Sequence, residues 1–306
     1  MATVELYGTV HHYTLYRPPD GASEGTLVFI HGWLLSDCYW HPLMRQLASR
    51  FTCLSYDLRG FGNSAPGRAD YRLSAYAEDI LTLIERLDLT RVWLVGHSLG
   101  GSIALWAAHL APQRVRGVVC LNAGGGVYIR KAFEQFRGAG QQMVRYRHPL
   151  LAALPLLPTV FSRMMVRQPL GQRWGRQRLM DFIRANADAA RGALLESTTR
   201  AEVHQLPQIV ANLAQPALFV AGAQDTVMQP RYVRHLASFH RQFGQGNLLE
   251  LDDCGHFAML ERTTAVAQTL SDFIKAHSGT HSSADVSRTE GLASLPSPYA
   301  STAIGA

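Results

Sequence analysis

Ser98 stands at the centre of Gly96-His97-Ser98-Leu99-Gly100, two positions from a glycine on either side. A serine hydroxyl becomes a nucleophile when a base takes its proton, and histidine, which titrates near neutrality, suits that task. A carboxylate then holds the imidazole in one tautomer and stabilises the imidazolium as it forms. Asp225, at the end of Gly222-Ala223-Gln224-Asp225, and His256, between Gly255 and Phe257, are the candidates for carboxylate and base. Serine at the apex points to an acyl intermediate. An aspartate there would point to an alkyl ester instead.

The elements around these residues read as buried strands feeding loops. Val92 to Val95 is an unbroken apolar run that stops at Gly96, as a strand covered on both faces would. Ser102 to Leu110 is rich in alanine and leucine, ends before Pro112 and reads as a helix. A sharp turn from strand to helix demands small residues two before and two after its apex, and Gly96 and Gly100 occupy those places. Further strands are expected at Val4–Tyr7, Tyr13–Tyr16, Thr26–Ile30, Phe51–Tyr56, Val115–Leu121, Ala217–Ala221 and Leu248–Leu251. The first two would form a hairpin closed near Gly8 to His12. Helical spacing marks Leu73 to Leu87, and helices are also expected near Tyr39–Leu47, Tyr232–Phe239 and Thr264–Ile274. Alternation of this kind implies a mostly parallel sheet with helices on both faces and functional loops at the carboxyl ends of its strands. His31, Ser98, Asp225 and His256 all fall at such ends.

Composition narrows the class. With 306 residues, 47% of them hydrophobic, the chain can bury a large core. Cys38, Cys53, Cys120 and Cys254 are widely spaced without a C-x-x-C pair, which suits a reducing, cytoplasmic setting. No secretory signal or transmembrane run is expected, and neither metal nor organic cofactor is implied. Net charge is +6, but residues 124–214 hold 13 Lys and Arg against 5 Asp and Glu, so the rest of the chain carries −2. No aromatic-stacking or helix-turn-helix pattern accompanies the basic segment, so nucleic acid is not an expected partner.

Five landmarks in register resemble the α/β-hydrolase superfamily: His31-Gly32-Trp33, Tyr56-Asp57-Leu58-Arg59-Gly60-Phe61-Gly62-Asn63-Ser64, the Ser98 motif, Gly222 to Asp225, and Gly255-His256-Phe257. The resemblance spans residues 26–276 and implies an α/β-hydrolase fold with an eight-stranded, mostly parallel sheet and a helical cap insertion. It divides the chain into a core at 1–123, a cap at 124–214, the rest of the core at 215–277 and a disordered tail at 278–306. It also implies a Ser98-Asp225-His256 triad and an oxyanion hole from the backbone N–H groups of Trp33 and Leu99, with Leu34 an alternative to Trp33. His31, Leu34, His97 and Phe257 are expected to border the substrate. Asn122 stands where some members carry the acid. Asp57 and Arg59 are expected to form an ion pair bracing the oxyanion loop.

This resemblance implies a serine hydrolase acting on a small-molecule carboxylic ester, lipase- or esterase-like, with a landmark layout similar to plant and cyanobacterial dephytylases. The loop His31 to Ser36 is also similar to that of cofactor-free haloperoxidases and perhydrolases, although those carry proline where Leu34 stands. Some relatives keep the triad and act as ligand receptors, which is the other alternative. Within 124–214, Pro149 to Pro158 is an apolar stretch broken by three prolines, with arginines at 145, 147, 163, 167, 173, 176 and 178 around it. Apolar and basic surface together suit a long or bulky substrate and peripheral association with an anionic membrane.

Overall fold

A computed structural model describes residues 2–125 and 130–278. The expected tail beyond Ser278 lies outside them. Eight strands, β1 (Ala2–Leu6), β2 (Thr9–Tyr16), β3 (Thr26–Ile30), β4 (Thr52–Tyr56), β5 (Val92–His97), β6 (Val115–Leu121), β7 (Ala217–Gly222) and β8 (Leu248–Leu251), form one sheet. Their spatial order is β1-β2-β4-β3-β5-β6-β7-β8. β1 and β2 pair antiparallel, β2 runs antiparallel to β4, and every later pair is parallel. The hairpin closes earlier than the spacing suggested. β2 already begins at Thr9, and Tyr7 and Gly8, both with positive φ (50° and 73°), make a two-residue turn.

Every residue of β3, β5 and β7 is buried. Their side chains alternate between two cores, as the two-residue period of a strand requires. Val28 and Ile30 face the core shared with α2 (Leu73–Arg86), α3 (Leu99–Leu110) and α9 (Pro230–Ala237), whereas Leu27 and Phe29 face the core shared with α1 (His41–Leu47) and α11 (Thr263–Ser278). A short α10 (Ala258–Glu261) precedes α11.

Between β6 and β7 the chain inserts α4 (Arg130–Arg145), a 3-10 turn at Pro149–Ala153, α5 (Leu157–Arg163), α6 (Gln172–Arg184), α7 (Ala187–Ser197) and α8 (Arg200–Asn212). Helix α8 packs on α3 and α9, and its Leu206, Ile209 and Val210 belong to the sheet core. Helices α5 and α6 pack tightly on each other, with Gly175 against the Pro158 carbonyl, where a Cβ would overlap it.

Candidate active site

β5 delivers Ser98 at the N-terminus of α3 with φ 53° and ψ −119°, a conformation L-residues rarely adopt. Such an elbow needs its flanks bare. A Cβ at Gly96 would overlap the Gly100 carbonyl, and one at Gly100 would overlap the carbonyl of Ile30 at the end of β3. The Ser98 N–H donates to Leu121 O at 3.0 Å, tying the elbow to the neighbouring strand.

His256 and Asp225 come together from the loops after β8 and β7. The His256 Nδ1–H donates to Asp225 Oδ2 at 2.7 Å, which leaves Nε2 as the acceptor. Asp225 is itself held on all sides. Its Oδ1 accepts from the N–H groups of Val227 and Met228 at 2.8 and 2.9 Å, and Oδ2 also accepts from Asn122 Nδ2 at 2.9 Å. Asn122 therefore orients the Asp225 carboxylate, and its Nδ2 also donates to Gly255 O.

Two supports of this loop have no counterpart in the sequence reading. Glu261 accepts the N–H groups of Gly255 and Phe257, each at 3.0 Å, bracketing His256. The His256 N–H donates to Met165 O at 2.7 Å, so the segment joining α5 to α6 is bonded to the loop of the candidate base.

The expected substrate neighbours divide. Leu34, His97 and Phe257 line a hollow that Ser98 and His256 also line. His31 does not border it. It is fully buried, its Nδ1–H donating to Gly32 O at 2.7 Å and its Nε2 accepting the Leu58 N–H at 2.9 Å. Burial pushes its pKa down to about 4, so it stays neutral and ties the loop after β3 to the loop after β4. His97 is held well below its usual range by burial first and by neighbouring His256 second. Its Nε2–H donates to His256 O at 2.7 Å, and its ring stacks on Phe257.

Among the described residues the N–H groups of Trp33 and Leu99 donate to no backbone carbonyl outside regular structure, and Leu99, as the first residue of α3, has no intrahelical acceptor. The Trp33 indole N–H donates to Ala190 O on α7 at 2.8 Å. Leu34 has φ 58°. Proline, whose ring fixes φ near about −65°, could not take that place without a different loop path.

The expected Asp57–Arg59 ion pair is absent. Arg59 Nε pairs with Asp79 Oδ2 on α2 at 2.7 Å, and its Nη1 donates to the carbonyls of Arg68 and Asp70. Asp57 instead accepts the N–H groups of Asp37 and Asn63, both at 2.8 Å, so it does brace the loop, with backbone donors as partners.

Two adjoining hollows meet at Ser98 and Trp33. One runs under α4 and α7 past Leu73, Phe133 and Leu194, and the other lies among Met143, Phe161, Met165 and Phe182. At the wall of the second lies Arg178 of α6, its guanidinium 4.4 Å over Phe257 and its Nη1 donating to the carbonyls of Phe161 and Met164. Burial lowers its pKa to about 10, which leaves it charged at neutral pH. Among the described residues no group of three or more His, Cys, Asp or Glu is gathered as a metal site would need.

The sequence profile of the α/β hydrolase fold family matches residues 25–263, and the chain belongs to that family. It is 30% identical over 262 residues to the pimeloyl-[acyl-carrier protein] methyl ester esterase of Xanthomonas campestris, covering 82% of this chain and 95% of that one. An uncharacterized protein of Mycobacterium tuberculosis is 31% identical over 264 residues, 82% of this chain and 75% of its own. Among solved structures, the enol-lactonase of Burkholderia xenovorans superposes with TM-score 0.73 at 20% identity, over 90% of this chain and 100% of that one. A thermophilic esterase of Thermogutta terrifontis superposes with TM-score 0.71 at 19% identity, over 90% and 97%. The chain is thus a hydrolase by family, with relatives and fold neighbours that include esterases.

Proposed function

We propose that this protein hydrolyses carboxylic esters through an acyl-enzyme on Ser98. Ser98 Oγ attacks the ester carbonyl while His256 Nε2 takes its proton. Asp225, accepting from Nδ1, stabilises the imidazolium. The oxyanion is met by the N–H groups of Trp33 and Leu99, donors of a kind worth ~3 kcal/mol each to a transition state. His256 then protonates the leaving alcohol, and water attacks the acyl-enzyme by the same route in reverse.

The observation that carries this reading is a serine on a strained elbow sharing one hollow with a histidine whose Nδ1 is occupied by a buried carboxylate. The paired hollows suit an ester with apolar bulk on both sides of the carbonyl, one arm for the acyl group and one for the alcohol. The ester chemistry named for the Xanthomonas relative is in keeping with this. The left-handed backbone at Leu34 sets the oxyanion loop apart from the proline-bearing loop of perhydrolases, so ester hydrolysis is the reading favoured.

A series of chromogenic esters from acetate to palmitate tests it, with Ser98→Ala as the control. Turnover should rise toward the longer chains and fall by at least ~10³-fold in Ser98→Ala. Turnover no greater than that of Ser98→Ala across the whole series would overturn the reading and bring a ligand receptor on this fold to the front.

A further inference from the structure

Large apolar side chains exposed on this molecule are concentrated in one short stretch. Tyr146, Leu150 and Leu156 are 70%, 71% and 75% exposed, and Leu154 and Val160 lie open between and beside them. The 3-10 turn at Pro149–Ala153 contributes no buried residue, and α5 contributes only Ser162. Isolated apolar residues on a surface mean little, but a contiguous set marks a surface that meets an apolar phase.

The charges around this set are of one sign. From residue 145 to residue 180 there are seven arginines and no Asp or Glu. Arg145, Arg163, Arg173 and Arg176 are exposed. None of these four has an ion-pair partner among the described residues, and Arg167 alone reaches a carboxylate, Asp253, at 3.8 Å. Among the described residues no helix is long and apolar enough to cross a membrane.

The exposed set also continues inward. Met165 and Phe136 are each 37% exposed and each line the hollow beside Ser98. Met165 carries the carbonyl that accepts the His256 N–H. The apolar surface and the candidate active site therefore share side chains.

We propose that residues 146–165 seat the protein on an anionic lipid surface, with the leucines of the 3-10 turn and of the approach to α5 dipping below the headgroups and the arginines resting on them. The mouth of the hollow then opens toward the bilayer, and an ester dissolved among the lipids enters past Phe136 and Met165 without crossing water. A nucleic acid would satisfy the arginines but leave the leucines in water, so lipid is the occupant these side chains fit. The entry route rests on the ester-hydrolase reading; the seating does not.

Flotation with vesicles of phosphatidylcholine alone, and of phosphatidylcholine with phosphatidylglycerol, tests the seating. The wild type should float with the anionic vesicles and at least ~10-fold less with the neutral ones. Leu150→Glu combined with Leu156→Glu should abolish flotation while leaving the unfolding midpoint and the hydrolysis of a soluble short-chain ester unchanged. Arg163→Glu with Arg176→Glu should weaken flotation. Wild-type protein that stays at the bottom of the gradient with anionic vesicles would overturn the proposal. So would flotation that survives both leucine substitutions, or flotation that a DNA duplex displaces in wild type and leucine variant alike. Flotation by a wild type that hydrolyses no ester faster than Ser98→Ala would keep the seating and remove the entry route.

Discussion

At the scale of single residues, the least expected arrangement is acidic. Asp181 of α6 is buried, accepts from Ser36 Oγ at 3.0 Å and from Gln177 Nε2 at 3.0 Å, and lies in the field of Asp37. Burial raises its pKa to about 6. Asp57, beneath the same loop, is also pushed up, by burial first and Asp37 second. A carboxyl whose folded pKa exceeds its unfolded value holds a proton in the folded chain that the unfolded chain has already released. Stability therefore falls as pH rises from about 4 to about 6 and stays reduced above that. Asp181→Asn removes this loss. Thermal or urea unfolding should find the variant close to wild type at pH 4 and more stable by about 2 kcal/mol at pH 8. A constant difference across that range would mean that Asp181 is ionised in both states.

At the scale of elements, the loop that carries His256 is built jointly by the sheet and the insertion. Gly255 lies so close to the α5–α6 connection that a Cβ would stand 2.7–2.8 Å from Val166 Cα, Arg167 N and Met165 O. These are backbone atoms, which cannot rotate aside. Glu261 binds both sides of this contact, accepting the N–H groups of Gly255 and Arg167. Gly255→Ala should lower stability by about 1–3 kcal/mol and, by lifting Met165 from His256, lower kcat more than it raises KM. Steady-state kinetics beside a melting curve would check both. An unchanged kcat in a destabilised variant would show that the insertion's contact serves folding alone.

At the scale of the whole molecule, buried neutral histidines set the acid limit. His31 joins the loops after two adjacent strands and stays unprotonated in the folded chain down to about pH 4. His97, beneath His256, is also held well below its usual range, by burial first. The unfolded chain takes up protons on both from near pH 6.5, so stability falls as pH drops from there through about 4. The two raised carboxyls act oppositely within that window, and so the acid decline should be steeper in Asp181→Asn than in wild type. His31→Gln can still donate to Gly32 O and accept from Leu58 N. It should unfold more readily at neutral pH, yet lose up to about 3 kcal/mol less than wild type between pH 6.5 and 4. Parallel acid titrations of the two chains would decide it.

Much of the frame was legible in the chain because it is written in short-range terms. Apolar runs of strand length ending in glycine marked the buried strands, and their alternation with helical spacing marked the layers. Gly96 and Gly100 revealed the elbow because a tight turn excludes side chains at fixed offsets. The partnership of polar groups was not legible. Arg59 sits two residues from Asp57 yet pairs with Asp79 on a helix, and Asp181 meets Ser36 across 145 residues of chain. Asn122 supports Asp225 from a different strand, and His31, at a strand end like Ser98, turns into the interior. Helix α8 closes the stretch inserted between β6 and β7 and packs on α3 and α9. Local sequence determines where strands, helices and sharp turns form, because their periods and steric limits act over a few residues. Which charged and hydrogen-bonding side chains face each other depends on how those elements pack, and only the tertiary structure decided that.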